Sequence, residues 1–198
     1  MSIFWRIRRA MRPLQLAMLF AAVLLVVARY DWSGTATRAG REAAALAPAA
    51  MSREIVGRAT VIDGDTLVIA GQHARIRLFG IDAPESTQPC FNGQGRRYPC
   101  GSRATAFLSQ LIGRGGDVVC RPLDVDSYQR LVAECDTAAG ISLNREMVRA
   151  GWAIDYVRYS GGRYAPEQRE AKSVRRGLWA GTFDAPAQWR QQSSRGGG

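Results

Sequence analysis

The chain has one histidine, His73, and one lysine, Lys172. A single imidazole excludes any zinc site or acid–base relay that needs two histidines from the same chain. A general base must then be a carboxylate, tyrosine, lysine or cysteine. His73 falls in a turn between strand-like runs, where a surface position is the ordinary expectation. Cysteine is sparse as well: Cys90, Cys100, Cys120 and Cys135, with no Cys-x-x-Cys pair. For zinc this leaves only an unusual four-cysteine arrangement. Acids are outnumbered, with 17 Asp and Glu against 27 Lys and Arg and a net charge of +10.

The distribution of that charge matters more than its size. Residues 1–52 carry seven Arg and two acids, and residues 53–198 carry twenty basic and fifteen acidic residues, so each part has a net charge of +5. The second part is mildly basic, which suits a polyanionic partner, although solubility alone accounts for it equally well. Arginine grips phosphate through paired donors. A GC-rich genome produces the same bias.

Arg6, Arg8, Arg9 and Arg12 precede an uncharged run from Pro13 to Ala28. At ~1.5 Å per residue the run spans about 24 Å, short of a ~30 Å hydrocarbon core. One reading is a cleaved signal peptide with Gly34-Thr35-Ala36 as its processing site. The other is an uncleaved anchor, favoured slightly by the length of the run. Both export the domain downstream, to the outer face of the inner membrane or to the periplasm or medium. The expected division is an anchor or signal at 1–29, a flexible tether rich in Ala, Gly, Ser and Thr at 30–52, one domain at 53–192 and a disordered tail at 193–198. An exported domain sits in an oxidising space, so two disulfides are expected. Of the three connectivities, Cys90–Cys100 and Cys120–Cys135 are preferred. Cys120 and Cys135 close two strands that a hairpin could align, and the first pair closes a loop with little else to hold it.

Five strands are predicted: Ile55 to Ile62, Thr66 to Ala70, His73 to Ile81, Asp117 to Arg121 and Arg130 to Cys135. Helices are predicted at Ser102 to Ile112 with Ser102 as cap, at Leu143 to Ala150, and at Ala165 to Arg176 with Pro166 in the first turn. The class is α+β, mainly β. Five short strands interleaved with about three helices suggest a Greek-key barrel of the OB type, preceded by an N-terminal hydrophobic helix. Pattern alone supports no more than a general α+β assignment.

Acids and arginines cluster where strands end. Asp63-Gly64-Asp65-Thr66 is followed by Arg77-Leu78-Phe79-Gly80-Ile81-Asp82-Ala83-Pro84-Glu85, and later by Asp126-Ser127-Tyr128-Gln129-Arg130. Carboxylates at strand ends can converge on one divalent cation. With two arginines they form the parts needed to hold and cleave a phosphodiester. Asp65 and Asp82 are the metal-ligand candidates, and hard oxygen donors without His or Cys favour calcium or magnesium. Asp63 reads as a turn residue whose side chain bonds following backbone N–H groups.

In this order the three motifs, with Gly177-Leu178-Trp179 after the last helix, resemble the staphylococcal (micrococcal) nuclease family over roughly residues 53 to 190. The resemblance implies the OB barrel and a Ca²⁺-dependent cleavage of DNA and RNA with little sequence preference, leaving 3′-phosphate ends. It implies a backbone carbonyl ligand at Ala83, Glu85 as the general base or the group that orients the attacking water, and Arg77 and Arg130 as the phosphate-gripping arginines. It also implies a nucleotide contact at Tyr128. The chain departs from the pattern at Ser127, where a basic residue is common, and at Gln129, where Gly is usual. Tyr156 and Tyr159 resemble base-stacking tyrosines at altered spacing, and that role is not carried over. Trp152, Trp179 and Trp189 read as core or tail anchors. A monomer attached to the membrane through its N-terminal segment is expected. The alternative is a catalytically silent OB-fold module that binds nucleic acid or a protein partner.

Overall fold

The computed structural model describes residues 53–195. The expectations for residues 1–29 and 30–52, including the N-terminal hydrophobic helix, fall outside the described residues. Among the described residues no helix is long and apolar enough to cross a membrane.

In chain order the elements are β1 (Ile55–Val61), β2 (Thr66–Ile69), β3 (Ile76–Leu78), β4 (Ile81–Asp82), β5 (Cys90–Phe91), β6 (Arg97–Tyr98), α1 (Cys100–Ile112), β7 (Asp117–Val125), β8 (Leu131–Thr137), α2 (Leu143–Arg149), β9 (Ile154–Asp155), α3 (Val157–Ser160), α4 (Ala165–Ser173), a 3₁₀ turn (Gly177–Ala180) and α5 (Pro186–Arg195). Five strands close a barrel in the order β1-β2-β3-β8-β7, with β7 returning to β1. Every neighbouring pair is antiparallel except β3 and β8, which run parallel. This is the expected OB-type barrel.

Alternation explains the barrel interior. Leu67 and Ile69 of β2, Ile76 and Leu78 of β3, Val118 and Cys120 of β7, and Ala133 and Cys135 of β8 are all fully buried. Helix α1 adds Ala104 and Leu108 to the same core, and α2 adds Leu143, Met147 and Val148. Trp152 is half-buried against this core, as expected of an anchor. A buried asparagine ties helix to sheet: Asn144 accepts from the Cys135 N–H (3.0 Å) and donates to the Phe79 carbonyl (2.9 Å). Burying an amide without such partners is costly.

Several boundaries differ from the sequence reading. The third strand was expected to run unbroken from His73 to Ile81, but β3 ends at Leu78 and the chain turns at Gly80, whose φ is 70°. A Cβ at Gly80 would lie 2.9 Å from the Ser160 Cβ, so only glycine lets α3 pack there. Beyond the turn, Ile81 and Asp82 pair with Ile154 and Asp155 instead of the barrel. Strand β7 continues past Arg121 to Val125 through a bulge between Pro122 and Asp124. Ser102 does not cap α1: the cap position is Pro99, and the Ser102 hydroxyl donates to the Ser86 carbonyl. Two helices were not anticipated, α3 and α5, and α5 extends to Arg195, into the segment read as a tail.

Both expected disulfides are present, Cys90–Cys100 and Cys120–Cys135. Cys120 and Cys135 stand opposite one another in the β7–β8 register. Cys90–Cys100 fastens β5 to the first residue of α1. Replacing Cys120 and Cys135 together by serine is expected to lower unfolding stability by ~2–4 kcal/mol, since the bridge restricts the unfolded chain. Chemical denaturation checks this. Activity of the folded protein should be unchanged, because neither cysteine lines the functional cleft.

Candidate active site

The turn between β1 and β2 presents the first acid. The Asp63 carboxylate accepts the Asp65 N–H at 3.0 Å, closing the turn as the sequence suggested. Burial, and next the charge of Asp65, push the Asp63 carboxyl up to about 6. Gly64 has no room for a side chain: a Cβ there would fall 2.7 Å from the Ala83 Cβ and 2.9 Å from the Ala104 Cβ. The turn therefore lies directly against the segment carrying Asp82 and Ala83. The Ala83 N–H donates to Asp65 Oδ2 at 3.0 Å, and the Thr66 hydroxyl to Asp65 Oδ1 at 3.1 Å.

Arg77 bridges the two acids. Its Nη1 is 2.5 Å from Asp65 Oδ1, and its Nη2 is 2.9 Å from Asp82 Oδ1. Asp65 and Asp82 are almost wholly buried, and Arg77 is only 16% exposed. Burial works against the Arg77 charge, but Asp65 and Asp82 outweigh it and raise its pKa above the usual value. For Asp82 burial prevails, lifting its carboxyl above the ordinary range despite the opposing arginines. The turn at Gly80 makes this geometry possible. In an unbroken strand, residues 77 and 82 would point to opposite faces.

Glu85 follows on a loop held from several sides. The fully buried Gln88 accepts the Glu85 N–H through Oε1 (3.3 Å) and donates through Nε2 to the Asp184 carbonyl (2.8 Å). Gly101 gives the loop passage, since a Cβ there would lie 1.7 Å from the Glu85 carbonyl oxygen.

One arginine here was not singled out from the sequence. Arg190, on α5, donates from Nη1 to Asp82 Oδ1 (3.0 Å) and Glu85 Oε1 (2.8 Å), and from Nη2 to Asp82 Oδ2 (3.2 Å). Arg190 sits 108 residues from Asp82 in a stretch with no motif, so no local signal could have found it.

Arg130 belongs to the other side of the site. Asp126 organises its loop, accepting the N–H groups of Tyr128 (2.9 Å) and Arg130 (3.0 Å) through Oδ1 and the Arg130 Nε–H (2.8 Å) through Oδ2. Burial raises the Asp126 carboxyl, but these Arg130 and Tyr128 contacts dominate and hold it below the usual range. The Arg130 guanidinium lies over the exposed Tyr128 ring, 5.4 Å from its centre. Arg77, Glu85 and Arg190 share one cleft of about 910 Å³ with Tyr128, Arg130, Tyr156 and Tyr159. The exposed His73 lines the same cleft, so it is a surface residue as expected, but not a remote one.

Gln129 occupies the position where the motif favours glycine, and its φ is 61°. The backbone keeps the left-handed conformation even with a side chain that disfavours it. Gln129→Gly is expected to raise the melting temperature slightly or leave it unchanged, while Gln129→Val lowers it. Calorimetry of the two variants checks this, and equal melting temperatures would show the loop to be unstrained.

A comparison with protein families matches the staphylococcal nuclease homologue family over residues 75–181. The chain belongs to this family. It is accordingly a nuclease that hydrolyses phosphodiester bonds of nucleic acid. The match takes in Arg77, Asp82, Ala83, Glu85, Tyr128 and Arg130, while Asp65 precedes it and Arg190 lies beyond it. Among curated proteins, the succinoglycan biosynthesis protein ExoI of Rhizobium meliloti (strain 1021) is 37% identical over 131 residues, covering 66% of this chain and 68% of its own. A protein of Escherichia coli O157:H7 named an uncharacterized endonuclease is 33% identical over 137 residues, or 67% of this chain and 82% of its own. A probable staphylococcal-like nuclease of Oryza sativa subsp. japonica is 32% identical over 126 residues, or 62% of this chain and 34% of its own.

Among the described residues no three His, Cys, Asp or Glu side chains gather as a metal cluster. The donor chemistry nevertheless fits a hard cation. Asp65 and Asp82 are drawn together by one guanidinium, and each uses three of its roughly four lone-pair positions. Calcium accepts such carboxylates together with backbone carbonyls and water.

Proposed function

We propose that this nuclease is calcium-dependent and cleaves DNA and RNA with little sequence preference, acting as a monomer outside the cytoplasm. The observation that carries this reading is the buried Asp65–Arg77–Asp82 bridge, with Glu85 beside it in a cleft shared with Arg130 and Tyr128. Asp65, Asp82 and the Ala83 carbonyl would hold the calcium ion, which when bound neutralises charge on the phosphate. The resemblance of this motif set to a family that is generally calcium-dependent supports that choice of cation.

Glu85 accepts the proton of the attacking water. Its carboxylate is 38% exposed, so solvent reaches it. Arg77 keeps N–H donors beyond those given to the carboxylates, and Arg130 supplies a second guanidinium at the same cleft. Both bind non-bridging phosphate oxygens, where charge grows in the transition state. Neither contact requires a particular base, in keeping with weak sequence preference. Tyr128 offers an exposed ring for a nucleotide.

The N-terminal segment tethers the domain to the membrane or is removed on export, and N-terminal sequencing of the mature chain distinguishes the two. Digestion of plasmid DNA and of RNA tests the central reading. Activity is expected to vanish in EDTA and to return with added calcium on both substrates. Undiminished cleavage in excess EDTA would overturn the metal assignment.

A further inference from the structure

Glu85 has one charged partner among the described residues, and it comes from α5. Arg190 Nη1 lies 2.8 Å from Glu85 Oε1. The same guanidinium is fixed from behind, because Asp82 receives it on both carboxylate oxygens and is itself wholly buried and bound to Arg77. We propose that Arg190 is a positioning residue that orients the Glu85 carboxylate for proton transfer. The inference rests on the reading of Glu85 as general base.

The placement of α5 is built into the fold. Thr182 and Phe91 exchange both backbone hydrogen bonds, each at 2.9 Å. Gly181 passes so near that a Cβ would sit 1.9 Å from the Phe91 carbonyl oxygen. Gln88 adds its bond to the Asp184 carbonyl. The segment leading into α5 is thus clasped to the loop after Glu85, so both ends of the Arg190–Glu85 contact share one support. A glutamate at the rim of a cleft otherwise samples many rotamers. Nη1 and Nη2 each give one N–H to Asp82, and the second N–H of Nη1 selects one of these rotamers.

Charge points the same way. The Arg190 guanidinium lies between the Asp82 and Glu85 carboxylates and offsets their mutual repulsion.

The test is steady-state kinetics at saturating calcium for Arg190→Gln and Arg190→Lys, each made in the native chain and in Glu85→Gln, with thermal melts of all variants. Arg190→Gln is expected to lower kcat about 10- to 100-fold and to change KM less than about threefold, the pattern of a misplaced catalytic group. Arg190→Lys should recover part of the loss, and serves in its place if glutamine loosens α5. In the Glu85→Gln background either change should cost less than about threefold, because the group being positioned has gone. An equal fold-loss in both backgrounds would overturn the proposal. So would a rise in KM alone, which marks a phosphate contact, or a gain in activity, which marks Arg190 as an obstruction. If Glu85→Gln keeps the native kcat, the reading of Glu85 itself falls. If Glu85→Gln is slow and Arg190→Gln is not, only the role of Arg190 falls.

Discussion

Arg77→Ala is expected to abolish most activity and to weaken the fold at the same time. One preorganised donor to a developing oxyanion is typically worth ~3–4 kcal/mol, so the rate should fall by about two to three orders of magnitude. The second effect is specific to this geometry. Arg77 lies between Asp65, whose side chain is 5% exposed, and Asp82, whose side chain is 0% exposed. Removing one partner of a buried charge cluster commonly costs ~3–5 kcal/mol, because the remaining ions stay desolvated. Arg190 still serves Asp82, which places the expected loss toward the lower end. Arg130→Ala provides the contrast. Its partner Asp126 is 19% exposed, so the rate should fall comparably with a smaller change in stability. Denaturant melts without added metal, paired with initial rates of DNA cleavage, check both effects. An Arg77→Ala protein as stable as the native chain would mean that the two carboxylates do not depend on the bridge.

Glu85→Gln is expected to reduce kcat by about 10²- to 10⁴-fold, the usual contribution of a positioned general base. The substitution keeps size and shape and removes only the basic oxygen and the charge. The Glu85 backbone N–H still meets Gln88, and Gly101 still admits the loop, so the fold should persist. KM should change little, because phosphate binding is assigned to Arg77 and Arg130. Single-turnover rates with circular dichroism distinguish loss of chemistry from loss of structure. A kcat within a few-fold of native would remove Glu85 from the reaction and leave water activation to another group.

The barrel was legible because its strands carry a period of two. Leu67 and Ile69, then Ile76 and Leu78, repeat at the spacing that puts alternate side chains inside, and the disulfide partners Cys120 and Cys135 fall on strands that a hairpin brings into register. The acids and arginines were legible as short motifs at strand ends. Other features had no such local expression. The unbroken third strand was the natural reading of His73 to Ile81, yet Gly80 ends it, because α3 needs the space its missing side chain leaves.

The sequence by itself limited the chemistry: with His73 the only histidine it excluded a histidine pair, and its motifs offered Asp65, Arg77, Asp82, Glu85 and Arg130 as candidates. The tertiary structure alone decided how they meet. It turned Asp82 back toward Arg77 at Gly80, separated Arg130 onto its own Asp126-centred loop, and brought Arg190 from the last described helix to Asp82 and Glu85. The physical reason is range. Periodicity and turn chemistry act over a few residues and leave a pattern in the chain, whereas a contact across 105 residues depends on packing that no single stretch encodes.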